Sequence, residues 1–169
     1  PKETLIVVTA DHETGGMALG TGRYALNLKA LENQKASAEE LSKKISDLRK
    51  AKNNHVAWED VKNLLSEQMG FWSVLPISWE QEKKLRDEYE KSFVKNKVEF
   101  AESMYAKTEP MAAKAKEVMD QIAMVGWTSG GHSAGYVPVF AIGAGSDLFI
   151  GKMDNTEIPR RIAKAGGYK

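Results

Sequence analysis

The chain has 169 residues, 42% hydrophobic and 28% charged, a composition ordinary for one globular domain with a core. Twenty-four Lys and Arg against 23 Asp and Glu leave a net charge of +1, so no basic field supports a nucleic-acid partner. Cysteine is absent, which excludes disulfides and thiolate zinc sites, and no apolar run approaches the roughly 20 residues of a membrane span.

The chain opens at Pro1 without a methionine and turns apolar within three residues. That stretch is too short for a signal peptide and lacks a basic lead-in, so the chain is expected to be a piece of a longer protein. Thr4-Leu5-Ile6-Val7-Val8-Thr9-Ala10 is a continuous apolar, largely β-branched run, which predicts a strand covered on both faces of a sheet. Glu13-Thr14-Gly15-Gly16 follows as a loop, by its glycines.

The middle of the chain is rich in Lys, Glu, Ala and Leu and predicts four helices. Ser37 with Glu40 is a capping box ahead of Leu41, Ile45 and Leu48 on one face. Trp58, Val61, Leu65 and Met69 form a second stripe, stopped by Gly70. Ser78 with Gln81 caps a third, carrying Leu85, Tyr89 and Phe93 at four-residue spacing. Thr108 is the expected cap of a fourth, with Met111, Ala115, Val118, Met119 and Ile122 facing inward until Gly126. Trp58, Trp72 and Trp79 are expected to line a seam between these helices, and residues 80–100 to present a solvated charged face.

Val137-Pro138-Val139-Phe140-Ala141-Ile142-Gly143 then reads as a strand whose proline suits an edge or a strand start. Asn155-Thr156-Glu157 opens a closing helix in which Ile158 and Ile162 share a face. The pattern predicts an α/β protein: two pieces of a sheet core, 1–24 and 127–169, flanking a helical insertion at 25–126.

Two of the three histidines, His12 and His132, sit in glycine-rich loops beside strands. Adjacent side chains on a regular strand point to opposite faces, so Asp11 and His12 can converge on one ion only where the strand gives way to a loop. That is where they stand, at the carboxyl end of a strand, the usual ligand side of an open α/β sheet. Carboxylate and imidazole suit zinc, although a polar strand end satisfied by loop hydrogen bonds explains the pair equally well. His55, ahead of the second helix, has no ligand-like neighbours and reads as a solvated loop residue.

The run Thr9-Ala10-Asp11-His12-Glu13-Thr14-Gly15-Gly16 resembles the metal motif of the alkaline phosphatases. Gly131-His132-Ser133-Ala134-Gly135-Tyr136-Val137-Pro138-Val139-Phe140 resembles the later histidine segment of the same family, with Ser133-Ala134 where Thr-Gly is common. The resemblance implies the C-terminal part of a three-layer α/β/α fold, in which residues 25–126 take the place of a variable insertion. It implies two zinc ions and a magnesium in the whole protein: Asp11 and His12 bind one zinc, and His132 binds the other. It also implies a serine that attacks a phosphate monoester, a phosphoserine that water hydrolyses, and an extracytoplasmic or periplasmic enzyme that is a homodimer or monomer. The nucleophilic serine, the remaining ligands and the phosphate-binding arginine are expected upstream of Pro1, so this chain alone is expected to be inert.

Three alternatives stand beside that reading. One is a phosphodiesterase or sulfatase of the same superfamily; another is a non-catalytic helical interaction module built on residues 25–126. The third is a serine hydrolase, because Gly131-His132-Ser133-Ala134-Gly135 fits G-x-S-x-G. That elbow needs a strand before and a helix after, and its histidine follows the serine; here a strand follows, and no histidine does. Ser133 is therefore expected only to fill a turn.

Overall fold

The computed structural model describes residues 3–22, 24–102 and 107–168; Pro1 lies outside them. The chain is mixed α/β, in the order β1 (Leu5–Val8), β2 (Met17–Leu19), α1 (Ala38–Ala51), α2 (Trp58–Met69), α3 (Trp79–Tyr89), β3 (Ala101–Glu102), β4 (Lys107–Thr108), α4 (Pro110–Ala123), β5 (Val125–Trp127), β6 (Phe140–Gly143) and α5 (Glu157–Ala165). Short 3-10 helices at Leu28–Asn33 and Ser146–Phe149 join them. Two compact units result: residues up to Gly16 together with those from Gly131 onward, and Met17–Gly130.

The larger unit owes its stability to four amphipathic helices. Leu41 and Ile45 of α1, Val61 and Leu65 of α2, Leu85 of α3, and Met111, Val118 and Met119 of α4 are all buried in one cluster. Helix α4 packs against the other three, so it is the hub of the core. Ser37 accepts the Glu40 amide at 3.1 Å, and Ser78 and Gln81 form a reciprocal capping box, as their spacing predicts. Gly70 ends α2 in the left-handed region at φ 71°, where a side chain would also collide with Asn33.

Three expectations are corrected here. Helix α4 is capped by Glu109 rather than Thr108: the buried Glu109 carboxylate accepts the Met111 and Ala112 amides at 2.7 and 3.1 Å. The helix stops at Met124, which takes the left-handed conformation, and Gly126 lies within β5, which pairs antiparallel with β2. Trp79 is 73% exposed, so the aromatic seam consists of Trp58, Trp72, Tyr89 and Phe93. Phe93 reaches that seam because α3 continues into a π-helical turn at Glu90–Val94. The charged face is laced with ion pairs such as Arg86–Glu82 and Lys91–Glu99, as a solvated surface requires.

In the smaller unit β1 pairs antiparallel with β6, in the register Leu5↔Gly143, Ile6↔Ile142, Val7↔Ala141 and Val8↔Phe140. The ladder begins at Phe140, after Pro138, because a proline cannot donate to it. Only one face of β1 is covered. Leu5 and Val7 share a hollow with Ile162 and Ala165 of α5, whereas Ile6, Val8, Phe140 and Ile142 are exposed on the other side. The predicted double coverage is not met, because among the described residues the sheet is two-stranded and no element crosses that face.

Candidate metal centre

β1 ends at Val8, and the chain leaves the ladder just before the residues that matter. The Thr9 hydroxyl bonds the Pro138 carbonyl at 3.2 Å, tying the exit of β1 to the lead-in of β6. Freed from strand geometry, Asp11 turns back on its neighbour. Its Oδ1 accepts the His12 amide at 3.0 Å, and its Oδ2 lies 3.3 Å from His12 Nε2.

His12 Nδ1 lies 3.0 Å from the Glu13 carbonyl, so in the tautomer that carries its proton on Nδ1 the other ring nitrogen, Nε2, keeps a lone pair. The Thr14 hydroxyl lies 3.3 Å from the same Nδ1. A backbone carbonyl at one ring nitrogen is a usual outer partner of a histidine that binds metal through the other. In that tautomer Nε2 and the carboxylate present two donors that one cation can take; with Nε2 protonated the same 3.3 Å contact is an Asp11–His12 ion pair.

His132 comes to the same place from the far end of the sequence. An isolated antiparallel bridge joins Thr14 to His132, and the two imidazole centroids lie 3.5 Å apart with the rings tilted by 33°. Asp11, His12 and His132 are all exposed. Asp11 opens onto a cleft of about 540 Å³ whose other wall is Asn155, Thr156, Ile158 and Pro159 at the start of α5. The Thr156 hydroxyl and amide hold the Asp154 carboxyl below the usual range at that helix start.

Zinc suits these residues by donor type and by spacing. Ligand bonds of ~2.0–2.2 Å at tetrahedral angles place two donors about 3.3–3.5 Å apart, and Asp11 Oδ2 and His12 Nε2 are 3.3 Å apart. Among the described residues no group of three or more His, Asp or Glu side chains is gathered to hold an ion.

Ser133 does more than fill its turn. Its hydroxyl donates to Glu13 and accepts the Gly135 amide at 3.2 Å, so the oxygen is committed to structure. The residues after it run irregularly to β6 and form no helix, unlike a nucleophile elbow. The sequence signals Glu13 only as an acidic residue between Asp11-His12 and the Gly15-Gly16 turn. His55 lies in the other unit, exposed, with Nδ1 2.9 Å from the Asn53 carbonyl.

Comparison with known proteins agrees along the whole chain. The family model for alkaline phosphatase matches residues 1–168. Alkaline phosphatase 3 of Bacillus subtilis (strain 168) is 31% identical, over 99% of this chain and 31% of that protein. Alkaline phosphatase 4 of the same organism is 26% identical, over 96% of this chain and 30% of its own length. The crystal structure of a cold-active alkaline phosphatase from the psychrophile Shewanella sp. superposes with a TM-score of 0.63 at 25% identity, over 98% of this chain and 34% of that one. The chain thus spans about a third of the length of the proteins it matches.

Proposed function

The chain belongs to the alkaline phosphatase family, and we propose that it is the metal-binding C-terminal part of an enzyme that hydrolyses phosphate monoesters. The observation that carries this reading is the 3.3 Å separation of Asp11 Oδ2 from His12 Nε2, with His12 Nδ1 3.0 Å from the Glu13 carbonyl. Asp11 and His12 would hold one zinc and His132 a second, with magnesium and the remaining ligands supplied from outside this chain. Zinc, when bound, supplies Lewis-acid polarisation of a phosphoryl oxygen and lowers the pKa of water toward about 7.

The chain's own residues do the positioning. Asp11 presents its carboxylate to the cleft beside His12, and a proton held on Nδ1 by the Glu13 carbonyl would leave Nε2 as the donor nitrogen. The Thr14–His132 bridge keeps the second imidazole beside the first. Residues 25–126 are read as an insertion between core pieces 1–24 and 127–169; Met17–Gly130 carries its own hydrophobic core, which supports that reading. The nucleophilic serine is placed upstream, which makes this chain alone inactive. An extracytoplasmic location, as homodimer or monomer, follows the family resemblance.

Hydrolysis of an aryl phosphate at alkaline pH by the whole protein, with and without Asp11→Ala, tests the assignment. Full activity in the variant would overturn it.

A further inference from the structure

The two ligand-bearing loops are joined by one carboxylate that none of the proposed ligand roles uses. Glu13 is half-buried, while the imidazoles on either side of it are exposed. One of its oxygens accepts the Gly16 amide at 2.8 Å, closing the loop that carries Asp11 and His12. The other accepts the Ser133 hydroxyl, next in sequence to His132. Ser133 in turn accepts the Gly135 amide at 3.2 Å, so the bond reaches across both loops. Gly135 leaves the space this needs: a Cβ there would lie 3.0 Å from Glu13 Cγ and 3.3 Å from Ser133 Oγ.

We propose that Glu13 is a positioning residue, a latch that fixes the His132 loop against the Asp11–His12 loop so that both imidazoles meet metal in a preset arrangement. The proposal rests on the zinc reading of Asp11, His12 and His132. Both Glu13 oxygens accept from protein donors, one on each loop, so in this proposal the carboxylate acts through the loops. The Thr14–His132 bridge is a backbone contact on an exposed surface, where local opening costs little. Outer partners that orient metal-binding side chains are worth about 10–100-fold in metal affinity.

A glutamine can replace the latch, since its oxygen can accept the Gly16 amide and its nitrogen can donate to Ser133 Oγ. A ligand carboxylate or a needed charge could not be replaced in that way. The test is a zinc titration of the 169-residue chain, followed at the His12 and His132 resonances, with amide exchange at Gly16 and Gly135 measured before metal is added. Unsubstituted protein should show both histidines responding together. Glu13→Ala should need about tenfold more zinc at His132 and exchange Gly16 about fivefold faster; Glu13→Gln should stay within about threefold on both readings. Ser133→Ala should likewise need about tenfold more zinc at His132 while leaving Gly16 protected.

A Glu13→Ala chain that titrates and exchanges like the unsubstituted one overturns the latch. So does a Glu13→Gln chain as impaired as Glu13→Ala. The zinc reading is checked in the same series with Asp11→Ala. A response lost there but kept in Glu13→Ala removes the latch alone, whereas an Asp11→Ala response equal to the unsubstituted one removes the metal centre and the latch with it.

Discussion

The imidazoles of His12 and His132 lie 3.5 Å apart, centroid to centroid, although one follows the first strand and the other precedes the last. On the proposed reading the pairing would supply donors to two ions and complete neither, because a catalytic zinc takes about three protein ligands. Titration calorimetry of this chain at neutral pH should therefore find zinc binding far weaker than at a full site. A tight step that disappears on His12→Ala would show the site to be complete within these residues.

In the whole protein, Asp11→Ala and His132→Ala should each cost at least ~3 kcal/mol of transition-state stabilisation, on the order of a hundredfold in turnover of an aryl phosphate. Ser133→Ala should cost much less, and added zinc should restore it, since its hydroxyl serves Glu13 and not the substrate. The reverse ranking, with Ser133 essential and Asp11 dispensable, would revive the serine-hydrolase reading of Gly131-His132-Ser133-Ala134-Gly135.

Met17–Gly130 holds its own buried cluster, with α4 packed on α1, α2 and α3. A chain of residues 17–130 alone should give a strongly helical circular dichroism spectrum and a cooperative melt. A spectrum dominated by β structure or disorder would refute the independence of this unit.

The helices were legible because their signals are local. A capping serine three residues before Glu40 or Gln81, and apolar side chains at three- and four-residue spacing, need no information from elsewhere in the chain. The cap of α4 was missed because Thr108 has the customary residue type, whereas Glu109 caps only by virtue of burial beside Arg49, a tertiary fact. The same limit applies to β1. Its unbroken apolar run encodes coverage on both faces, and only the fold reveals which residues are available to provide it. At the candidate centre, adjacency pointed to Asp11 and His12, but the link from Glu13 to Ser133 joins residues 120 apart in sequence and leaves no periodic trace.

Glu88 gives a stability signature in pH. Its Oε1 is buried without a hydrogen-bond partner, and burial, followed in size by the opposing pull of Lys91, leaves its carboxyl raised above the usual range. A carboxyl raised in the folded state contributes stability below its unfolded pKa of about 4.3 and loses it as pH rises through the folded value. Glu88→Gln should therefore raise the urea midpoint at pH 7 and change it little near pH 4. An equal shift at both pH values would assign the effect to packing instead.

Arg49 and Glu109 supply the last prediction. Their side chains are 14% and 2% exposed and meet at 2.8 Å, Arg49 Nη2 to Glu109 Oε1. The guanidinium also bonds the Ser92 carbonyl at 3.1 Å and sits 3.6 Å from the Phe93 ring centroid, while the Glu109 amide donates to Ser42 at 3.0 Å. One ion pair thus ties α1 to the π-helical turn and to the start of α4. Removing one partner of such a pair leaves a buried charge uncompensated, which costs about 3–5 kcal/mol. Arg49→Met keeps most of the aliphatic stem and loses the charge, so it should lower the urea unfolding free energy by roughly that amount. Glu109 would still cap α4 through Oε2, with its charge stranded. Adding Glu109→Gln to Arg49→Met should then recover part of the loss, because no buried charge remains and the amide oxygen can still accept from the helix. A double variant less stable than Arg49→Met by the full cost of Glu109→Gln alone would mean the two residues act independently, and the ion pair would then contribute nothing as a pair.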